Sequence, residues 1–233
     1  MTSSTVSLTL PLQEPPLWDL ERVTHIGSLD PAHKGCRGES YEGTGLSVSV
    51  HPEEWEEIAR LGGQAWWETD LSALRILDGH QFIHEHSKAL EQWGQQQGWL
   101  RAGVMYKISW FDEEMQQTLS MLLSSLEDAQ NELEEMGEGT DRIETIDPCW
   151  LATPKLDVAM GRTPRDQPSG DSQVLQDVAT VWAKEQGLDG VWWEDNLEVE
   201  AYSAPRGVVF EDRVPRLTFE KVREPRRRPS LRG

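Results

Sequence analysis

The strongest chemical signal is a run of glycine and serine, Gly43-Thr44-Gly45-Leu46-Ser47-Val48-Ser49. Gly43 and Gly45 permit a positive φ or a close approach to a ligand. Leu46, Val48 and Val50 alternate with Ser47, Ser49 and His51, the period of a half-buried strand. His25-Ile26-Gly27-Ser28 stands about twenty residues earlier. Near the far end, Arg206 follows a loop rich in carboxylates, among them Glu194, Asp195, Glu198 and Glu200. An anionic ligand would need local positive charge, and Lys34, Arg37 and Arg206 are the cations close to these segments. His80 and His84 have the i, i+4 spacing that zinc can use on a helix. No acid between them fits a metalloprotease motif and no fourth ligand is evident, so a metal is not expected. Cys36 and Cys149 form no metal or redox motif and read as reduced thiols.

Regular elements must hold these residues. Pro52 suits the first position of a helix with acidic Glu53, Glu54, Glu56 and Glu57 in front of an apolar stripe of Trp55, Ile58, Ala59 and Leu61. Strands are expected within residues 20–29, around Trp66-Trp67, over Arg75–Leu77, over Val104–Phe111 and within 142–153. Gln81–Trp99 reads as a helix packed through Leu90, Trp93 and Trp99. Met115, Leu119, Leu122, Leu126, Ala129, Leu133 and Met136 follow an a/d spacing, which predicts one long helix ended by Gly137. That helix could pack on the domain's own sheet or pair with a partner chain. A further helix, capped by Asp171 or Ser172, ends at Gly187.

At 233 residues the chain fits one large domain, and 37% hydrophobic residues with eleven Trp suffice for a core. The plan is a flexible leader over 1–19, one domain over 20–222 and a disordered, arginine-rich tail over 223–233. The N-terminus lacks the pattern of a signal peptide, and no apolar run is long enough to span a bilayer. A cytoplasmic protein of bacterial or phage type, with no membrane partner, is expected. The net charge of −19 argues against general affinity for nucleic-acid backbones. It suits an acidic protein that occupies a basic partner.

Gly43-x-Gly45-Leu-Ser47-Val-Ser49-x-x-Pro52 resembles the Gly-x-Gly-Ile-Tyr-Phe-Ser-x-x-Pro segment of ADP-ribosyltransferase-fold proteins, the superfamily of the poly(ADP-ribose) polymerases and several bacterial toxins. His25-Ile-Gly27-Ser28 is similar to the family's His-Gly-Ser, with Ile26 inserted, and Gly187-Leu-Asp-Gly-Val … Val208-Val-Phe210 to its closing strands. The resemblance implies an α+β fold, a pair of antiparallel sheets around a cleft with flanking helices, and NAD as co-substrate. It implies that His25 positions the donor and that Gly27, Ser28, Arg37, Gly43, Gly45 and Ser49 bind it. Ser47 would line the nicotinamide pocket, where the family usually has an aromatic residue. The implied activity is transfer of ADP-ribose to a protein or nucleic-acid acceptor. The family places a glutamate before its last strand, where a carboxylate stabilises positive charge developing on the ribose. Arg206 occupies that position here. The acid could come from the loop, where Glu194, Asp195, Glu198 and Glu200 are available, or Arg206 could hold a phosphate. The third alternative is a non-catalytic acidic interaction protein, an inhibitor or complex subunit, on the same fold.

Overall fold

The computed structural model describes residues 14–19, 21–30, 45–58, 61–112, 116–136, 143–161, 163, 172–193 and 206–223. The fold is α+β with two largely antiparallel sheets. These sheets belong to two compact units. Among the described residues, the first unit runs to His86, takes in Met160 and Gly161, and resumes at Ala179. The second holds Ser87–Ala159, Thr163 and Ser172–Val178.

The first unit is built on an eight-stranded sheet. Its strands are β1 (Leu17–Trp18), β2 (Arg22–Ile26), β3 (Gly45–Ser49), β4 (Trp66–Asp70) and β5 (Ile76–Asp78). The three-stranded sheet of the second unit takes β6 (Leu100–Asp112), β7 (Gln117–Leu123) and β8 (Ile143–Ala152). The chain then returns to the large sheet with β9 (Gly190–Trp193), β10 (Arg206–Phe210) and β11 (Glu220–Arg223). The large sheet is ordered β1-β5-β9-β10-β3-β2-β4-β11, and only β5 and β9 run parallel. β1 lies inside the stretch expected as a leader, because Leu17 and Trp18 pair with Leu77 and Ile76. Arg223, expected to open the tail, belongs to β11.

Among the described residues there are five α-helices, α1 (Pro52–Ile58), α2 (Gly79–Gln97), α3 (Leu126–Glu135), α4 (Pro154–Ala159) and α5 (Ser172–Glu185), and a 3-10 turn at Val214–Arg216. Pro52 opens α1 as its fixed φ favours. β3 is expected to be half-buried, yet Leu46 to Ser49 are all buried. Alternation places Val48 in a core cluster with Val23, Leu71, Ile76, Trp192 and Val209. On the other face Ile26 and Trp66 pack with Trp55 of α1 and Leu61. Each such aliphatic side chain contributes roughly 1.5–3 kcal/mol on full burial.

The single long helix expected from Met115 to Met136 is corrected. Gln117–Leu123 forms strand β7, and only Leu126–Glu135 is helical. The a/d spacing in Leu119 and Leu122 coexists with a period of two in Leu119, Met121 and Leu123. Pairing in register with β6, Trp110 to Leu119 and Ile108 to Met121, decides between them. Ser125 then caps α3 by accepting from the Asp128 amide. Ala129 and Leu133 pack onto Ile108, flanked by Tyr106, Trp110 and Leu123. No described helix is long and apolar enough to cross a membrane.

Candidate functional site

The segments singled out by their chemistry meet in the middle of the large sheet. β3 pairs on one side with β10, where Arg206 opposes Ser49 and Val208 opposes Ser47. On its other side it meets β2 at one paired position, Thr24 with Ser49. β9 flanks β10, so Trp193 opposes Arg206. Across five strands this gives a transverse row of Trp193, Arg206, Ser49, Thr24 and Glu68. Trp193, Ser49 and Thr24 of this row are buried, Ser49 fully. Thr24 and Glu68 escaped the sequence reading. Their period-two positions were visible, but which strands are neighbours was not.

His25 sits between β2 and β3. It is fully buried, with Nδ1 2.8 Å from the Ser47 carbonyl oxygen and Nε2 3.1 Å from that of Ser28. Both neighbours are acceptors, so both contacts are hydrogen bonds together only when each ring nitrogen carries a proton. The imidazole thus spans the gap where the β2–β3 ladder holds one pair. The His25 ring contacts β3 through the Ser47 backbone and also lies 6.2 Å from the ring of Trp55, the α1 residue that packs with Ile26 and Trp66.

Ser47 is 5% exposed and Ser49 fully buried. The Ser49 hydroxyl accepts from the His51 amide at 3.0 Å, which shapes the turn into α1. Gly27 has φ 128° and donates its amide to the Ala65 carbonyl. Its own carbonyl accepts from Trp67 Nε1 at 2.9 Å. The Ser28 hydroxyl accepts from the Asp30 amide. At Gly45 a Cβ would collide with the Val209 carbonyl oxygen, so the glycine lets β10 approach. Trp66, one of the two tryptophans near the row, lies beneath the Arg223 guanidinium, 4.4 Å from its ring centre. Arg223 in turn donates to Glu56 at 3.1 Å. Gly43, Arg37, Glu194 and Asp195 lie outside the described residues, as do Lys34, Cys36, Glu198 and Glu200.

The Gly-Leu-Asp-Gly turn has a definite task. Asp189 is 8% exposed, and its Oδ2 accepts from the Arg75 amide at 2.9 Å. Its Oδ1 lies 2.9 Å from Arg213 Nε and 3.5 Å from Arg216 Nη1. The Arg213 contact is an ion pair by distance, though the N–H does not point along it. Asp189 also bonds through its backbone to Arg75 and Phe210. It thereby fixes β9 against β5 and β10, the strands that deliver Trp193 and Arg206.

Among the described residues no group of three His, Cys, Asp or Glu could hold a metal ion. Comparison with protein-family models, with curated proteins and with solved structures returns no match to this chain.

Proposed function

We propose that the chain is an ADP-ribosyltransferase-like protein that takes NAD as co-substrate and passes ADP-ribose to a protein or nucleic-acid acceptor. One observation carries the reading: His25, the Gly45–Ser49 strand and Arg206, far apart in sequence, occupy adjacent strands β2, β3 and β10. In this reading the donor lies across that junction. Ser47 lines the nicotinamide side, His25 holds the β2–β3 gap open to the right width, and Arg206 with a carboxylate from Glu194 or Asp195 flanks the ribose and phosphates. Departure of nicotinamide leaves positive charge on the ribose, which a carboxylate stabilises and a guanidinium opposes. Arg206 accordingly serves the phosphates.

A second reading keeps the fold and the binding but not the turnover. The burial of Ser47, Ser49 and His25, with both ring nitrogens on backbone carbonyls, favours it. The test is calorimetric titration with NAD, followed by an assay for released nicotinamide. Binding with release, both diminished in Arg206→Ala, supports transfer. Binding without release supports the second reading, and no binding at millimolar NAD removes both.

A further inference from the structure

Among the described strands the two sheets present four edges, and three of them are blunted. β1 is two residues long, and β11 is Glu220-Lys221-Val222-Arg223, three charges in four positions. β8 carries Glu144, Asp147 and Pro148, and its register with β6 shifts between Gly103 and Met105. Short length, charge, proline and irregular register are the usual devices that stop an edge from pairing with another chain. β7 has none of them. Its sequence, Gln-Thr-Leu-Ser-Met-Leu-Leu, contains no charge, no proline and no glycine. Among the described strands it pairs with β6 alone.

The surroundings of β7 point the same way. Thr118 and Ser120 are exposed, and Met121 is 37%, Leu126 43% and Phe111 52% exposed. α3, which follows β7 and packs on the same small sheet, carries Glu127, Asp128, Glu132, Glu134 and Glu135 and no Lys or Arg. An open edge gives main-chain affinity to any extended segment, while the helix beside it selects positive charge. A second copy of the chain would bring a second acidic helix to the same place, where like charges repel.

We propose that β7 is a docking edge for an extended, lysine- or arginine-bearing segment of a partner protein, which adds a fourth strand to the small sheet. The backbone of the guest pairs with Gln117–Leu123, and its cations reach the carboxylates of α3. This surface lies in the second unit and does not depend on NAD binding.

A synthetic probe tests it: an acetylated, amidated peptide of four Val-Lys repeats, with a control in which two valines are prolines at equal charge. Fluorescence polarisation and amide exchange are read on the full chain in about 50 mM salt, where charge attraction is weakly screened. The expected result is binding of the first peptide with slowed exchange across residues 117–123, and binding at least about tenfold weaker for the proline control. The Thr118→Lys/Ser120→Lys variant, its fold checked by circular dichroism, is expected to lose binding by a similar factor. Should that variant not fold, Glu127→Gln/Glu134→Gln gives the second reading, a several-fold loss for the Val-Lys peptide with the slowed exchange across residues 117–123 retained at saturating peptide. Equal binding of both peptides, or no added protection in β7, overturns the proposal in favour of unspecific charge attraction. A dimer of the chain alone in sedimentation, abolished by the lysine pair, overturns it in favour of self-pairing.

Discussion

A single carboxylate, Asp189, is asked for two different things, and substitution separates them. Asp189→Asn keeps an oxygen for the Arg75 amide and loses the charge facing Arg213 and Arg216. Asp189→Ala loses both. We expect about 1–2 kcal/mol from the first and about 3 kcal/mol from the second in denaturant unfolding, since breaking a nearly buried pair strands its partner. Equal losses would mean that only the charge matters. His25→Ala removes a buried ring whose nitrogens face the Ser47 and Ser28 carbonyls and leaves a cavity, at a cost of about 3 kcal/mol. His25→Gln should recover part of that through its amide. Two carboxylates give opposite pH signatures. Hydrogen bonds from the Ser72 amide and hydroxyl hold Asp70 below the usual carboxylate range, so its contribution is present at neutral pH and lost as pH falls through its folded value. Desolvation raises Glu185, so this group favours the folded state only while protonated, and its contribution is lost as pH rises through its folded value. Glu185→Gln should therefore raise the melting temperature slightly at pH 7 and leave it unchanged near pH 3. A difference that grows on acidification would reverse the sign and exclude desolvation as the cause.

Elements were legible in the sequence where local chemistry and tertiary pairing agree. α1 starts at Pro52, α2 buries Leu90 and Trp93, and the Gly187 to Gly190 turn lies between α5 and β9, as the residues indicate. The two glycines of that turn differ in kind. Gly187 has φ +71° with open space where a Cβ would stand, so Gly187→Ala should cost about 1 kcal/mol of backbone strain. At Gly190 the Cβ would meet the Val208 carbonyl oxygen, and Ile76 Cδ1 at 2.9 Å. Gly190→Ala must push β9 away from β10, and we expect about 3 kcal/mol or more in thermal unfolding. Similar losses at the two positions would show that the turn, not the strand spacing, is the constraint. What the sequence hid was long-range. Nothing local in Leu119 or Leu122 says that β6 will claim them as a strand. The Ser125–Asp128 cap was the one local sign that a helix begins there. Likewise Thr24 and Glu68 joined the row at Ser49 only once strand order was known.

Over the whole molecule, 41 acidic residues against 22 Lys and Arg leave a net charge of −19. Self-repulsion of that size destabilises a compact state and is screened by salt, whose Debye length falls from about 10 Å at 0.1 M to about 3 Å at 1 M. Against it stand the described ion pairs, which salt would weaken. Arg22 to Glu68 is 3.3 Å long with Arg22 largely exposed, so it adds little. Arg223 to Glu56 and Arg213 to Asp189 are mostly shielded from solvent, and added ions reach them poorly. Repulsion among exposed carboxylates, which α3 concentrates without one internal cation, is therefore the component that salt changes most. We expect the melting temperature to rise by about 3–5 °C between 20 mM and 0.5 M potassium chloride and then to level off as screening saturates. Glu127→Gln/Glu134→Gln should reproduce part of that rise at low salt and shrink the remaining salt effect. A melting temperature that falls with potassium chloride would place the balance on the ion pairs instead. A rise that never levels would point to solvent exclusion rather than charge.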